Sequence, residues 1–144
     1  MSLNPKVWGP HYWFVLHTIS LTYPLKPNET VKKKYYDFIE NLPIFIPIEN
    51  IGNYFSELLD KYPVTPYLDS RESFIKWVYF IHNEINKNLG YEELTLSESL
   101  EKYYKHYENC EKQFKINNNR REQYVYFGIL LFLIIITINV YRKS

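Results

Sequence analysis

Two separated groups of side chains in this sequence have the types and spacing for binding chemistry. In Trp8-Gly-Pro-His-Tyr-Trp-Phe-Val-Leu-His-Thr-Ile-Ser-Leu-Thr-Tyr-Pro24, residues Trp13, Leu16, His17 and Ser20 fall at i, i+3, i+4 and i+7. That interval places them on one helical face. A large aromatic ring beside an imidazole suits core packing, and it suits equally a flat ligand with polar edges. In Trp77-Val-Tyr-Phe-Ile-His-Asn-Glu-Ile-Asn-Lys-Asn-Leu-Gly90, His82 and Asn86 are four apart and Asn83 projects from an adjoining strip. Imidazoles and amides supply uncharged donors and acceptors for the heteroatoms of such a ligand. Other chemistries find little support. His82 and Glu84 cannot face one point on a helix and no His-x-x-x-His spacing occurs, so no metal site is expected. Neither a glycine-rich phosphate loop nor a nucleophile elbow is present. The one cysteine, Cys110, cannot form a disulfide within a single chain.

Amphipathic helices must position these residues. The first is expected to begin at Gly9-Pro10, with proline accepted in the first turn, and to end at Tyr23-Pro24. Asn28 or Thr30 caps a second helix to about Asn41, with Tyr35, Phe38, Ile39 and Leu42 on its buried face. Pro43 and Pro47 bracket an apolar link, Ile44-Phe45-Ile46. A third helix, about Ile48 to Lys61, carries Ile51, Tyr54, Phe55, Leu58 and Leu59 on one stripe, and Pro63 to Tyr67 forms a loop. Asp69 or Ser70 caps a fourth, which runs to about Leu89 and stops at a left-handed Gly90. Ser97 starts a short, polar fifth helix through about Gln113, and Lys115 to Arg121 reads as linker.

The segment from Tyr124 to Tyr141 differs in kind, because it holds no charge. At roughly 1.5 Å per residue it approaches the hydrocarbon thickness of a bilayer. Tyrosines mark both ends, and Arg120, Arg121, Arg142 and Lys143 flank it, as interfacial anchors do. A transmembrane helix over 124–141 is therefore expected, placed so late that it acts as a tail anchor. The larger basic cluster on its N-terminal side favours a cytosolic helical domain, held at a host or virion membrane. The N-terminus has no apolar stretch of a signal peptide. The organisation expected is a helical domain over 1–106, a polar linker over 107–123, the span over 124–141 and a basic tail over 142–144. At 144 residues there is room for one core, and a net charge of +1 gives no reason to expect nucleic acid.

Taken together, Trp-Gly-Pro-x-x-Trp-x-x-Leu-His…Tyr-Pro and Trp-x-x-x-x-His-Asn-x-x-Asn-x-x-Leu-Gly resemble the flavin-binding signature of the Erv/ALR sulfhydryl oxidases. The resemblance runs from Trp8 to about Tyr103 and is similar to the viral-type members. It implies an all-α domain, a four-helix bundle plus a short fifth helix, commonly a homodimer. It further implies that Gly9, Trp13, His17, Tyr23, His82, Asn83, Asn86 and Tyr103 line FAD, with Gly9 admitting close backbone approach. Tyr91 falls where the family often has a flavin-contacting Lys.

Active family members oxidise dithiols to disulfides and pass the electrons through FAD to oxygen. They use a Cys-x-x-Cys at the start of the third helix, where the helix N-terminus favours the thiolate. Here the matching residues are Ile48-Glu49-Asn50-Ile51, preceded by Pro47. A second, structural pair of some relatives maps to Tyr79 and Leu96. FAD binding is thus expected and intrinsic thiol oxidation is expected to be lost or impaired, leaving a thiol-containing protein partner as a source of cysteines. The alternative is a membrane-tethered helical binding or scaffold module without flavin.

Overall fold

The computed structural model describes residues 3–143, apart from the side chains of 109–119, 133, 135–137, 139–141 and 143. Regular structure among the described residues is entirely helical: α1 (Pro5–Leu21), α2 (Glu29–Asn41), α3 (Glu49–Lys61), α4 (Arg71–Asn88) and α5 (Leu96–Lys143). Two compact units divide the chain, Met1–Tyr103 and Tyr104–Ser144.

Helix α1 starts four residues before the expected Gly9-Pro10. Asn4 Oδ1 accepts the Lys6 amide at 2.9 Å and Pro5 occupies the first turn, so Asn4-Pro5 satisfies both start criteria. Pro10 then lies inside the helix, where it has no N–H to offer the Lys6 carbonyl. The other caps follow local rules. Asn28 Oδ1 accepts the Val31 amide at 2.9 Å, and Ser70 Oγ accepts that of Ser73 at 3.1 Å. Gly90 turns the chain out of α4 with φ of 70°.

In the first unit, Ile39 and Leu42 of the α2 stripe are buried, but Phe38 is 39% exposed, so the buried stripe is narrower than expected. Helix α3 buries Ile51, Phe55, Leu58 and Leu59, and α4 buries Phe74, Trp77, Val78, Ile81 and Ile85. Tyr23 has no exposed surface. Its ring meets Tyr35 and Phe74 edge-on at 4.6 and 5.1 Å, and its hydroxyl donates to the Leu68 carbonyl at 2.7 Å. Arg71 Nε donates to the Tyr23 carbonyl. One tyrosine thereby ties the end of α1 to α2 and to the entry of α4.

Between α2 and α3 a 3₁₀ turn, Leu42–Phe45, is held to α1 by the Tyr12 hydroxyl, which donates to the Phe45 carbonyl at 2.8 Å. The same turn lies on Gly52 of α3. A Cβ at Gly52 would sit 2.8 Å from the Pro43 carbonyl oxygen, closer than side chains tolerate.

Helix α5 opens on a reciprocal cap. The Thr95 amide donates to Glu98 Oε2 at 2.7 Å, and the Glu98 amide donates to Thr95 Oγ1 at 3.2 Å. One expectation is corrected here: the fifth helix is not short, and its backbone runs through the stretch expected as linker, 107–123, within Leu96–Lys143. The asparagines at 117–119 lower helix propensity by only about 0.5 kcal/mol each, and no proline or glycine stops the helix there. The expected span over 124–141 falls partly on side chains outside those described. Among the described residues no helix is long and apolar enough to cross a membrane. The described apolar side chains from Tyr124 to Phe132 are all exposed.

Gly52→Ala tests the packing of the 42–45 turn on α3. Alanine inside a helix ordinarily gains about 1 kcal/mol over glycine. Contact with the Pro43 carbonyl should reverse that sign and cost about 1–3 kcal/mol in urea denaturation. Gly9→Ala, whose Cβ would meet nothing within 4 Å, is the control and should stabilise the chain. A stabilised Gly52→Ala protein would contradict the close approach.

Candidate cofactor site

The first helix and the fourth pack so that their polar faces meet. Trp13 stacks on His82 with ring centroids 3.9 Å apart and planes 14° from parallel. His17 Nε2 lies 3.1 Å from His82 Nδ1. His17 is 6% exposed. Burial lowers its imidazole to about 4. Burial, then the neighbouring His17 and Lys102 charges, lower His82 to about 3. Both rings are therefore neutral near pH 7. Two neutral imidazoles at this distance share one hydrogen, with one ring donating and the other accepting. The donating ring then presents an acceptor at its second nitrogen, and the accepting ring presents a donor.

Helix α5 adds a further wall. Tyr103 is buried and stacks on Phe14 with centroids 5.1 Å apart. Thr18 Oγ1 donates to the Phe14 carbonyl at 2.8 Å and lies 3.0 Å from the Tyr103 hydroxyl. With its one hydrogen directed to Phe14, Thr18 accepts from Tyr103. The Tyr103 ring also meets His17 edge-on at 6.5 Å.

The sequence-derived site residues divide into those the fold assembles and those it uses elsewhere. Trp13, His17, His82 and Tyr103 come together. Asn86 is 9% exposed, and its side-chain amide has no hydrogen-bond partner among the described residues. Asn83 is turned away to the Leu94 main chain, where Nδ2 donates to the carbonyl at 2.8 Å and Oδ1 accepts the amide at 3.1 Å. Tyr23 is a core residue whose hydroxyl is engaged by Leu68. Around Gly9 there is open space, since a Cβ would meet no atom within 4 Å. Ile51 is buried in the core and Ile48, at the α3 N-cap, packs partly buried against it.

Sequence reasoning missed Phe14, Thr18 and Trp8. Phe14 and Thr18 sit four apart, one residue along from Trp13 and His17, and that shared offset was the available signal. Trp8 Nε1 is a buried donor without a partner among the described residues.

What the meeting of Trp13, His17, His82 and Tyr103 offers is a largely buried, aromatic-walled site with uncharged donors and acceptors from two imidazoles and a hydroxyl pair. Such a donor set fits a flat heteroaromatic group. The Erv1 / Alr family profile matches residues 10–115. This chain belongs to the Erv1/Alr family. An Acanthamoeba polyphaga mimivirus protein named a probable FAD-linked sulfhydryl oxidase is 35% identical over 100 residues, covering 69% of this chain and 70% of that one. The FAD-linked sulfhydryl oxidase of an African swine fever virus isolate is 33% identical over 97 residues, covering 63% of this chain and 75% of its own. The yeast Erv1 core shares the fold with a TM-score of 0.64 at 20% identity, over 72% of this chain and 86% of that structure. Viral proteins thus stand among the relatives of this Erv1/Alr member.

The imidazole pair makes stability pH-dependent in one direction. The unfolded rings take up protons near pH 6.5, whereas the folded His17 does so near 4 and His82 near 3. As pH falls the unfolded chain binds protons first, so stability declines from about 6.5 down to about 4 for the His17 share and about 3 for the His82 share, and levels off below. Each ring contributes at most about 1.4 kcal/mol per pH unit. Urea melts between pH 7 and 4 should show a shallower slope for His17→Gln than for the parent. Equal slopes would mean that the pair is not held neutral.

Proposed function

We propose that this Erv1/Alr member binds FAD between α1, α4 and the start of α5, and that it carries the flavin pocket of a sulfhydryl oxidase without an internal dithiol relay. The observation that supports this most directly is the convergence of Trp13, His17, His82 and Tyr103, with His17 and His82 brought together from 65 residues apart. FAD, when bound, supplies two-electron chemistry, taking electrons from a dithiol and passing them to an acceptor such as oxygen.

The chain's own residues bind and orient. Trp13 and His82 already form a stack that an aromatic ligand can extend, and the second ring nitrogens of His17 and His82 offer one donor and one acceptor. Asn86, one turn beyond His82 on α4, adds an amide. Phe14 and Tyr103 exclude water from that side. Gly9 and Tyr23 are read as framing the pocket, Gly9 through its open backbone and Tyr23 by fixing the end of α1.

Electron delivery is where this chain departs from an active oxidase. The sequence holds one cysteine, so a Cys-x-x-Cys is absent from these 144 residues. Ile48 and Ile51, at the start of α3, fill that place with apolar volume and have no redox chemistry. The two electrons and two protons of dithiol oxidation must then come from cysteines of a thiol-containing protein partner, or the flavin turns over little. Homodimerisation, as the family resemblance implies, is compatible with this reading. The uncharged run over 124–141 with its flanking arginines supports a membrane tether that holds the domain on the cytosolic side.

The visible spectrum of the purified chain is the test. Bound FAD should give a structured band near the flavin maximum, and dithiothreitol added without oxygen should bleach it far more slowly than in a relative with the cysteine pair. Trp13→Ala and His82→Ala should lower FAD affinity by about tenfold or more, the loss of a stacking contact or a buried hydrogen bond. A folded, colourless protein that takes up no added FAD would leave only the scaffold reading standing.

A further inference from the structure

We infer that Asn83 and Tyr79 are positioning residues: together they clamp the Leu94 peptide, and so hang the start of α5, with Tyr103, against the cofactor site. The inference rests on the FAD reading above and extends it to two residues that do not touch the site.

The geometry begins with the turn out of α4. Gly90 adopts a positive φ of 70°, and the Tyr91 amide donates back to the Asn86 carbonyl at 2.8 Å. Four residues of chain then lead to α5, and Leu94 is where this connection is fixed. Asn83 meets Leu94 as one peptide meets another: Oδ1 accepts the amide at 3.1 Å and Nδ2 donates to the carbonyl at 2.8 Å. Tyr79, one helical turn earlier on α4, donates its hydroxyl to the same carbonyl at 2.7 Å. A carbonyl oxygen has two lone pairs, so Leu94 is satisfied by two side chains of one helix.

The next residue, Thr95, forms the cap with Glu98 that starts α5. Clamp and cap are adjacent, so the clamp sets where the helix begins and the cap sets its direction. Tyr103 lies eight residues on, about two turns at 3.6 residues per turn. A rigid helix carries any error at its start to Tyr103, which must reach Thr18 within 3.0 Å and Phe14 within a ring stack of 5.1 Å. Asn83 therefore acts on the site through α5 and not by contact with the ligand.

The test uses the full chain as parent, Tyr79→Phe, Asn83→Ala and the double variant, at a temperature well below unfolding. Two quantities are read: hydrogen exchange at the Leu94 amide without FAD, and FAD affinity from titration of the bound-flavin absorbance. Asn83→Ala should release the Leu94 amide to fast exchange. Each single change should weaken FAD binding about three- to tenfold, the range of one net hydrogen bond. The double variant should lose more than the product of the two, because only there does the Leu94 carbonyl lack both donors. An unchanged FAD affinity in all three would overturn the inference. So would weakened affinity in Asn83→Ala with the Leu94 amide still protected, which would make Asn83 a ligand contact. A parent chain that takes up no FAD defeats the proposed function and the role given to the clamp, while the exchange data still decide whether the clamp exists.

Discussion

The site depends on two imidazoles remaining uncharged while buried against each other. His17 and His82 come from helices 65 residues apart in sequence, and their facing nitrogens are 3.1 Å apart. That distance requires a hydrogen on one nitrogen and a lone pair on the other. A further proton would put a charge into a largely buried region, and on the accepting ring's facing nitrogen it would also remove the lone pair the contact needs. Burial opposes that charge, so the contact that joins α1 to α4 also sets the polarity of the pocket. The same desolvation that keeps the two rings neutral leaves each with an uncharged donor or acceptor at its second nitrogen.

Charge is kept at the periphery. Lys32 bridges Glu29 and Asp69 at 3.0 and 2.7 Å, Lys33 pairs with Asp37 and Lys76 with Glu72, all with at least one well-exposed partner. Pairs of this kind contribute about 0–1 kcal/mol each, so they orient α2 and α4 more than they hold them. Cohesion comes from the apolar interior, in which Tyr23, Phe55, Phe74, Trp77 and Ile39 are almost fully removed from water. Tyr23 shows how one residue can serve fold and site together. Buried on every side, it anchors the end of the helix whose middle presents Trp13 and His17.

The isoleucines at the start of α3 serve packing. Ile51 is buried and Ile48 packs against the core, so the helix terminus is structurally complete without sulfur. Packing and redox capacity are independent properties of those positions. Tyr79 illustrates a related substitution. Where the family resemblance places a structural cysteine, this chain has a hydroxyl that ties α4 to the approach of α5.

Much of the fold was legible because helix signals are local. Asn28, Ser70 and Gly90 act on amides or dihedrals within one turn, and the α3 stripe follows directly from spacing. The start of α1 was misread because Gly9-Pro10 and Asn4-Pro5 carry competing signals, and only the cap hydrogen bond selects between them. The length of α5 was not legible because a polar, asparagine-rich run resembles a linker, whereas a helix needs only the absence of a stop. The pairing of the two site segments was visible through family resemblance, since periodicity gives each face but not its partner. That Asn83 grips Leu94, that Tyr23 is buried under Tyr35 and Phe74, and that Tyr103 bonds Thr18 could not be read from the chain. Sequence determined which helices form and which faces are apolar or polar. Tertiary structure decided which polar groups meet, because a side-chain hydrogen bond is set by tenths of an ångström between elements whose approach depends on the packing of the whole core.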